Sequence, residues 1–243
     1  MLPARAVSRA VLCPTTKCGR FHVGGKNGQT SKFGQASWVY GEELGQNQAF
    51  GWSPDSKRVW LYRFDESPVT DFPLAVGVVN QYSKVEWEAY PKAGTPNPAV
   101  QLFVLDADTR TLVEVDTRPT GAGPDDQGCY VYGILLSPFD GTLLFHRTDR
   151  LHRTMEFCSA DPGTGQVRVL VREQQPLTWT DNQPQRQYLA ESSEISQKPE
   201  LRASAIWISE RNGFRNLYLA HLANGTLRPI TQHRFDVEDS HRA

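Results

Sequence analysis

Short apolar runs separated by turn-forming residues set the rhythm of this chain. Phe50-Gly51-Trp52 leads into Ser53-Pro54-Asp55-Ser56 and then into Val59-Trp60-Leu61-Tyr62. The scheme returns as Ile134-Leu135-Leu136, Ser137-Pro138-Phe139-Asp140-Gly141 and Leu143-Leu144-Phe145. It returns again as Ala205-Ile206-Trp207-Ile208, Ser209-Glu210-Arg211-Asn212-Gly213 and Leu217-Tyr218-Leu219. Proline presets φ in such turns, Asp and Ser bond their own backbone, and Gly or Asn accepts positive φ, so each copy predicts a β-hairpin. Asn212-Gly213 is a signal for a two-residue hairpin turn.

A second hairpin follows each first one. It is centred on Asp106-Ala107-Asp108-Thr109, then on Asp161-Pro162-Gly163-Thr164-Gly165, then on Asn224-Gly225. Four short strands in two hairpins make one blade of a β-propeller. The runs at Val59-Trp60-Leu61-Tyr62 and Leu143-Leu144-Phe145 do not alternate with polar residues, as expected of strands covered on both faces by neighbouring blades. Ser53 and Ser137 lie 84 residues apart, and Ser137 and Ser209 lie 72 apart. Both intervals exceed a plain blade, so each holds a blade plus an insertion, or parts of two blades. Helical periodicity is confined to residues 189–203, where Pro199 interrupts it. The expectation is an all-β fold: a partial β-propeller of about four blades of four-stranded antiparallel sheet over residues 21–243, behind an unmatched leader at 1–20.

Composition narrows the function classes. Hydrophobic residues are 39% and charged residues 22%, a balance that suits a folded chain. The net charge of −1 supplies no basic surplus for a phosphate backbone, so nucleic acid is not expected as a partner. No apolar stretch reaches the length of a membrane span. Residues 1–20 lack the apolar core of a secretory signal, and Arg5 and Arg9 interrupt the segment. Cys13, Cys18, Cys129 and Cys158 form neither a CxxC pair nor a zinc-spaced Cys/His cluster, so no metal and no cofactor is expected. A Cys129–Cys158 disulfide is open, since sequence alone does not fix pairing.

Gly51-Trp52-Ser53-Pro54-Asp55 approaches the G-x-S-x-G nucleophile motif, but Asp55 replaces the last glycine and Pro54 removes a backbone N–H. The segment also repeats at Ser137, so Ser53 reads as a turn residue and no catalytic residue is assigned. Gly24-Gly25-Lys26-Asn27-Gly28 lacks phosphate-loop spacing and reads as a turn. The six histidines are dispersed and read as surface or packing residues. Asn224-Gly225-Thr226 is a glycosylation sequon if the chain enters a eukaryotic secretory route.

Ser37-Trp38-Val39-Tyr40-Gly41-Glu42-Glu43-Leu44 has no repeat copy. Two readings of Glu42 and Glu43 are open. Composition favours a solvated acidic pair beside core aromatics. The sharper reading is a cation clamp, because an ammonium carries three donors and no acceptor and so seeks converging anionic acceptors. Each charge-assisted bond of that kind contributes about 1.5–3 kcal/mol.

Trp38-Val39-Tyr40-Gly41-Glu42-Glu43-Leu44, Phe50-Gly51-Trp52-Ser53-Pro54-Asp55 and Arg63-Phe64-Asp65-Glu66-Ser67-Pro68-Val69 occur in an order that resembles the dipeptidyl peptidase IV family. Tyr90-Pro91-Lys92-Ala93-Gly94-Thr95-Pro96-Asn97-Pro98 resembles a hallmark loop of that family, and Ser209-Glu210-Arg211-Asn212-Gly213-Phe214-Arg215 a later blade. The resemblance covers residues 21–237 and is most specific up to about residue 105. It implies an eight-bladed propeller preceding an α/β-hydrolase domain in an enzyme that releases N-terminal dipeptides, often X-Pro. It implies that Glu42 and Glu43 match adjacent glutamates holding the free α-amino group of the substrate. Many members carry a third glutamate where this chain has Gly41.

The resulting expectation is the substrate-recognition propeller portion of a dipeptidyl peptidase IV-like serine exopeptidase, with the hydrolase domain absent from this chain. The alternative is a stand-alone binding or scaffold module, or a truncated gene remnant. The expected partners are a peptide N-terminus and either a separate α/β-hydrolase domain or a second copy. The resemblance leaves localisation among periplasmic, secreted and membrane-anchored.

Overall fold

A computed structural model describes residues 31–46, 48–79, 81–119, 129–137, 139–181, 185–189, 198, 201 and 203–238, together with the backbone of 11–12 and 19–20. The glycine-rich turn at 24–28, Cys13 and Cys18, and nearly all of the 189–203 stretch lie outside the described residues. β1 (Val11–Leu12) and β2 (Gly19–Arg20) form one antiparallel pair.

Three larger antiparallel sheets follow. The first holds β3 (Ser31–Phe33), β4 (Phe50–Trp52), β5 (Arg58–Asp65), β8 (Ala99–Asp106) and β9 (Leu112–Val115), in the order β3-β5-β8-β9 with β4 also on β5. The second is a four-stranded meander of β10 (Cys129–Leu136), β11 (Leu143–Asp149), β12 (Thr154–Ala160) and β13 (Val167–Gln174). The third is a meander of β14 (Gln185–Tyr188), β15 (Ser204–Ser209), β16 (Asn216–His221) and β17 (Leu227–Pro229). The all-β, blade-like architecture anticipated from the repeats is therefore present.

Two details differ from the sequence reading. The third-copy hairpins share β16, so the fourth strand of that sheet is β14, drawn from a stretch without turn-run-turn signature. The Asn212-Gly213 turn is also wider than two residues, since Ser209 pairs with Asn216 and leaves 210–215 between the strands. The buried Asn216 side chain explains the width: its amide donates to Asn212 Oδ1 and to the carbonyls of Phe214 and His233.

The long interval between Ser53 and Ser137 contains an insertion. β6 (Asp71–Val76) and β7 (Lys84–Ala89) form a separate two-stranded hairpin that, among the described residues, pairs with no other strand. Its base is tied to the first sheet by Lys32, whose Nζ lies 2.9 Å from Glu66 and 2.8 Å from Glu88.

Sheets stack face to face, and β11 shows why its sequence is apolar at consecutive positions. Leu143 and Phe145 enter a core shared with Tyr62, Phe64 and Leu102 of the first sheet. Leu144, between them, enters a second core with Phe157, Trp207 and Tyr218, shared with the third sheet. One set of buried charges is paired across strands. Arg147, Glu156 and Arg172 are register partners on β11, β12 and β13, and Glu156 accepts bonds from both arginines. Burial opposes ionisation of Glu156, but the Arg147 and Arg172 bonds outweigh it and hold its pKa below the usual carboxylate range.

The sheets meet through glycine at two equivalent places. A Cβ on Gly165, in the β12–β13 turn, would meet the Glu114 carbonyl oxygen of β9 at 2.0 Å. A Cβ on Gly225, in the β16–β17 turn, would meet the Leu170 carbonyl oxygen of β13 at 2.3 Å. Both glycines have positive φ, so any side chain there meets a backbone clash and a strained conformation together. Cys129 and Cys158 form no disulfide with each other. Burial pushes the Cys158 thiol up to about 12, so it is protonated at neutral pH.

Candidate functional site

The site begins as an interruption of one strand. β3 and β4 occupy the same edge of β5, separated by an excursion over residues 35–48. Tyr62 closes the excursion from both sides: Gly34 N–H donates to the Tyr62 carbonyl (3.0 Å), and Tyr62 N–H donates to the Ala49 carbonyl (2.9 Å). The displaced chain forms one short helix, α1 (Trp38–Glu42). Ser37 occupies its N-cap with extended backbone but no side-chain cap bond. Beyond the helix, Gly45 turns the chain at φ +61° and Gln46 N–H returns to the Tyr40 carbonyl (2.8 Å). So short a helix is marginal alone and is held by tertiary packing.

That packing decides which side chains face outward. Val39, Tyr40 and Leu44 are buried. The Tyr40 ring packs on Phe64 with centroids 4.6 Å apart, and its hydroxyl accepts from Val131 N–H (3.0 Å). Tyr62 donates its hydroxyl to the Val131 carbonyl (2.7 Å), so two tyrosines anchor the excursion to β10 of the next sheet. Burial raises the pKa of both phenols above the ordinary tyrosine value, and each remains a neutral anchor. With one face of α1 committed inward, Glu42 and Glu43 are left exposed at its end. Among the described residues neither carboxylate forms an ion pair.

Beside α1 lies an open cleft of about 660 Å³. Glu43 lines it, while the adjacent Glu42 does not. Trp38 and Tyr90 pack against each other along one wall, with centroids 4.2 Å apart and ring planes tilted by 47°. The loop from Tyr90 to Asn97 forms a second wall, and Asn97 donates to the Tyr130 hydroxyl (2.8 Å). The floor toward the second sheet comes from the β11–β12 turn, with Arg150 and His152. Two of the segments resembling the family's motifs, 38–44 and 90–98, thus meet at one cleft. Sequence reasoning missed Tyr130, Arg150 and His152, because nothing in their local pattern separates them from ordinary turn and strand residues.

Ser53 lies in a different setting. Its hydroxyl accepts from Arg58 N–H (2.8 Å) and donates to Asp55 Oδ1 (2.5 Å), locking the β4–β5 turn. The bond from Ser53 lowers the Asp55 pKa, as does the Lys57 backbone N–H. This is turn chemistry, with no histidine engaged. Among the described residues no group of three or more His, Cys, Asp or Glu side chains could hold a metal ion. Among them also, no helix is long and apolar enough to cross a membrane.

Stacked four-stranded meanders, with a helix-bearing excursion beside an aromatic cleft, define part of a β-propeller domain. The chain belongs to the family described as the dipeptidyl peptidase IV (DPP IV) N-terminal region, which matches residues 19–242. It is 31% identical over 134 residues to "Probable dipeptidyl-aminopeptidase B" of Emericella nidulans, covering 50% of this chain and 13% of that protein. The same-named protein of Phaeosphaeria nodorum is 38% identical over 96 residues, covering 35% of this chain and 10% of that protein. The crystal structure of Porphyromonas gingivalis dipeptidyl peptidase 4 superposes with a TM-score of 0.71 at 23% identity, covering 90% of this chain and 29% of that one. The chain therefore spans a small part of the length of each of these relatives.

Proposed function

We propose that this chain recognises the free N-terminus of a peptide, as the substrate-binding propeller portion of a dipeptidyl peptidase IV-like serine exopeptidase. Glu42 and Glu43 receive the primary ammonium group, and the aromatic cleft beside Glu43 receives the residues that follow it. One observation carries the reading: α1 commits its other face to the core and leaves two adjacent carboxylates exposed at its end, without ion-pair partners among the described residues, and one of them, Glu43, lines an aromatic cleft. An ammonium held there forms charge-assisted bonds worth about 1.5–3 kcal/mol each. Peptide-bond cleavage belongs to an α/β-hydrolase unit of the kind the family resemblance implies, and this chain contributes positioning.

The test is a reconstitution with such a hydrolase unit. Glu42→Gln together with Glu43→Gln is expected to lower kcat/KM for X-Pro chromogenic substrates by at least about 100-fold, for two lost charge-assisted bonds. The chain alone is expected to show no turnover. Unchanged kinetics in the double variant would make the glutamates a solvated pair. Turnover by the isolated chain that vanishes in Ser53→Ala would place catalysis within it.

A further inference from the structure

Hairpin β6–β7 forms its own sheet, and among the described residues no third strand pairs with either edge. The two edges are not equivalent. Tyr90 N–H donates to the Thr70 carbonyl (3.3 Å), one rung below the Asp71–Ala89 pair. Bonded and non-bonded rungs alternate in an antiparallel ladder, so the bonded rungs above it are Phe72–Glu88, Leu74–Glu86 and Val76–Lys84. The outward-facing main chain therefore belongs to Asp71, Pro73 and Ala75 on β6, and to Val85, Trp87 and Ala89 on β7. Pro73 has no N–H to offer, which blunts the β6 edge. β7 contains no proline, and its outward N–H and C=O groups form an uninterrupted template for another strand.

The side chains along that edge complement themselves. Val85 and Trp87 are exposed on one face, with Val78, Val79 and Tyr82 exposed toward the tip. Exposed apolar side chains clustered in this way mark an interaction surface. Lys84 and Glu86 are exposed on the other face, and among the described residues neither forms an ion pair. Outward main-chain groups must meet outward ones, so a two-fold pairing of β7 with itself centres on one residue. Centred on Lys84 or on Glu86, it sets that charge against its own copy. Centred on Trp87, it sets Glu86 against Glu88 twice. Centred on Val85, it sets Lys84 against Glu86 twice, Val85 against Val85, and Trp87 against Ser83. The Lys84–Glu86 rungs are then non-bonded ones, where facing side chains approach most closely. Opposite charges placed so support a sheet, and like charges weaken it.

We infer that β7 is a homodimerisation edge, which pairs antiparallel with β7 of a second copy of this chain in the register centred on Val85. The pairing makes a four-stranded sheet in the order β6-β7-β7-β6 and gives the insertion the additional strands that an isolated hairpin lacks. Along its charged face runs the row Leu74, Glu86, then Lys84 and Val76 of the second copy. Val79, at the tip, stands outside the paired rungs.

Sedimentation velocity over a dilution series of this chain tests the register. The unmodified chain should show a dimer that dissociates on dilution. Lys84→Glu and Glu86→Lys should each weaken it at least about 100-fold, since each sets like charges opposite one another at two rungs. The Lys84→Glu/Glu86→Lys double variant should dimerise as the unmodified chain does. The two single variants, mixed, should form a heterodimer. Val85→Pro removes an N–H that no bond within the hairpin uses, so it should abolish the dimer and leave the circular dichroism spectrum unchanged. A chain that stays monomeric at the highest concentration reached overturns the inference. So does a dimer that both single variants leave intact, which would place the interface elsewhere. Failure of both the double variant and the mixture to recover the dimer overturns the Val85-centred register, and with it the inference.

Discussion

Hairpins β6–β7 and β11–β12 carry the same ladder, six paired positions each, and opposite environments. Along β11 and β12 only the terminal residues escape full burial. Along β6 and β7 only Ala89 is fully buried, while Val85 and Trp87 are 61% and 55% exposed and Val79 at the tip is 95% exposed. The backbone hydrogen bonds are alike, so they do not set the difference. Coverage sets it: β11–β12 lies between two neighbouring sheets, and β6–β7 is covered only in part, with Phe72, Leu74 and Val76 half-buried on one face of β6. A lone hairpin is marginal in water, so this one depends on its base, where Lys32 joins Glu66 and Glu88. Pro73 within β6 fits the same picture, since a strand without an interior neighbour tolerates a missing donor.

The largest expected effect is at the covered pair of faces. Trp207→Ala should cost about 3–5 kcal/mol in denaturant unfolding, as for other large aromatic truncations. Trp207 is fully buried, packs on Phe157 at 5.4 Å and donates its indole N–H to Glu173. A loss below about 1 kcal/mol would mean that the second and third sheets do not support each other.

The next effect is acid-dependent. His146 is enclosed by Tyr132, Phe157 and Trp207, with centroids 5.5, 4.8 and 5.9 Å away. Burial lowers its pKa from 6.5 to about 4, against a smaller opposing pull from Asp181. The folded state therefore keeps His146 neutral where the unfolded chain takes up a proton. Its contribution is complete above about pH 6.5 and is lost as the pH falls through about 4. The loss should be about 1 kcal/mol by about pH 5.5 and about 3 kcal/mol by about pH 4. His146→Phe, which keeps a ring in the stack, should flatten the stability profile across that window. An unchanged slope would assign the acid sensitivity to other groups.

The smallest effect belongs to the exposed hairpin. Val79→Ser should change stability by less than about 0.5 kcal/mol. A larger loss would show that the tip is covered in solution and would end the contrast drawn here.

The same contrast explains how much was legible in the sequence. Strands covered on both faces announce themselves as consecutive apolar residues between turn signals, so β5, β11 and β15 stood out. The inserted hairpin left only an excess of spacing, because its alternation serves no core. β14 was missed because Gln185-Arg186-Gln187-Tyr188 carries no apolar run. α1 was missed because five residues without a side-chain cap bond have no helical period to detect. The glutamate pair was visible as a motif. The cleft was not, because Glu43, Tyr90 and Arg150 meet only after two sheets have packed.

The two glycine contacts set a gauge for the whole array. At Gly165 and at Gly225 the turn of one sheet rests against a carbonyl on the last strand of the sheet before it. Distance between sheets is thus measured main chain to main chain, and side-chain bulk only fills the gap that results. Shrinking a core residue should leave a hole instead of drawing the sheets together. Residues on two different sheets, such as Glu43 and Arg150, can then keep a fixed separation across a cleft that no single element spans.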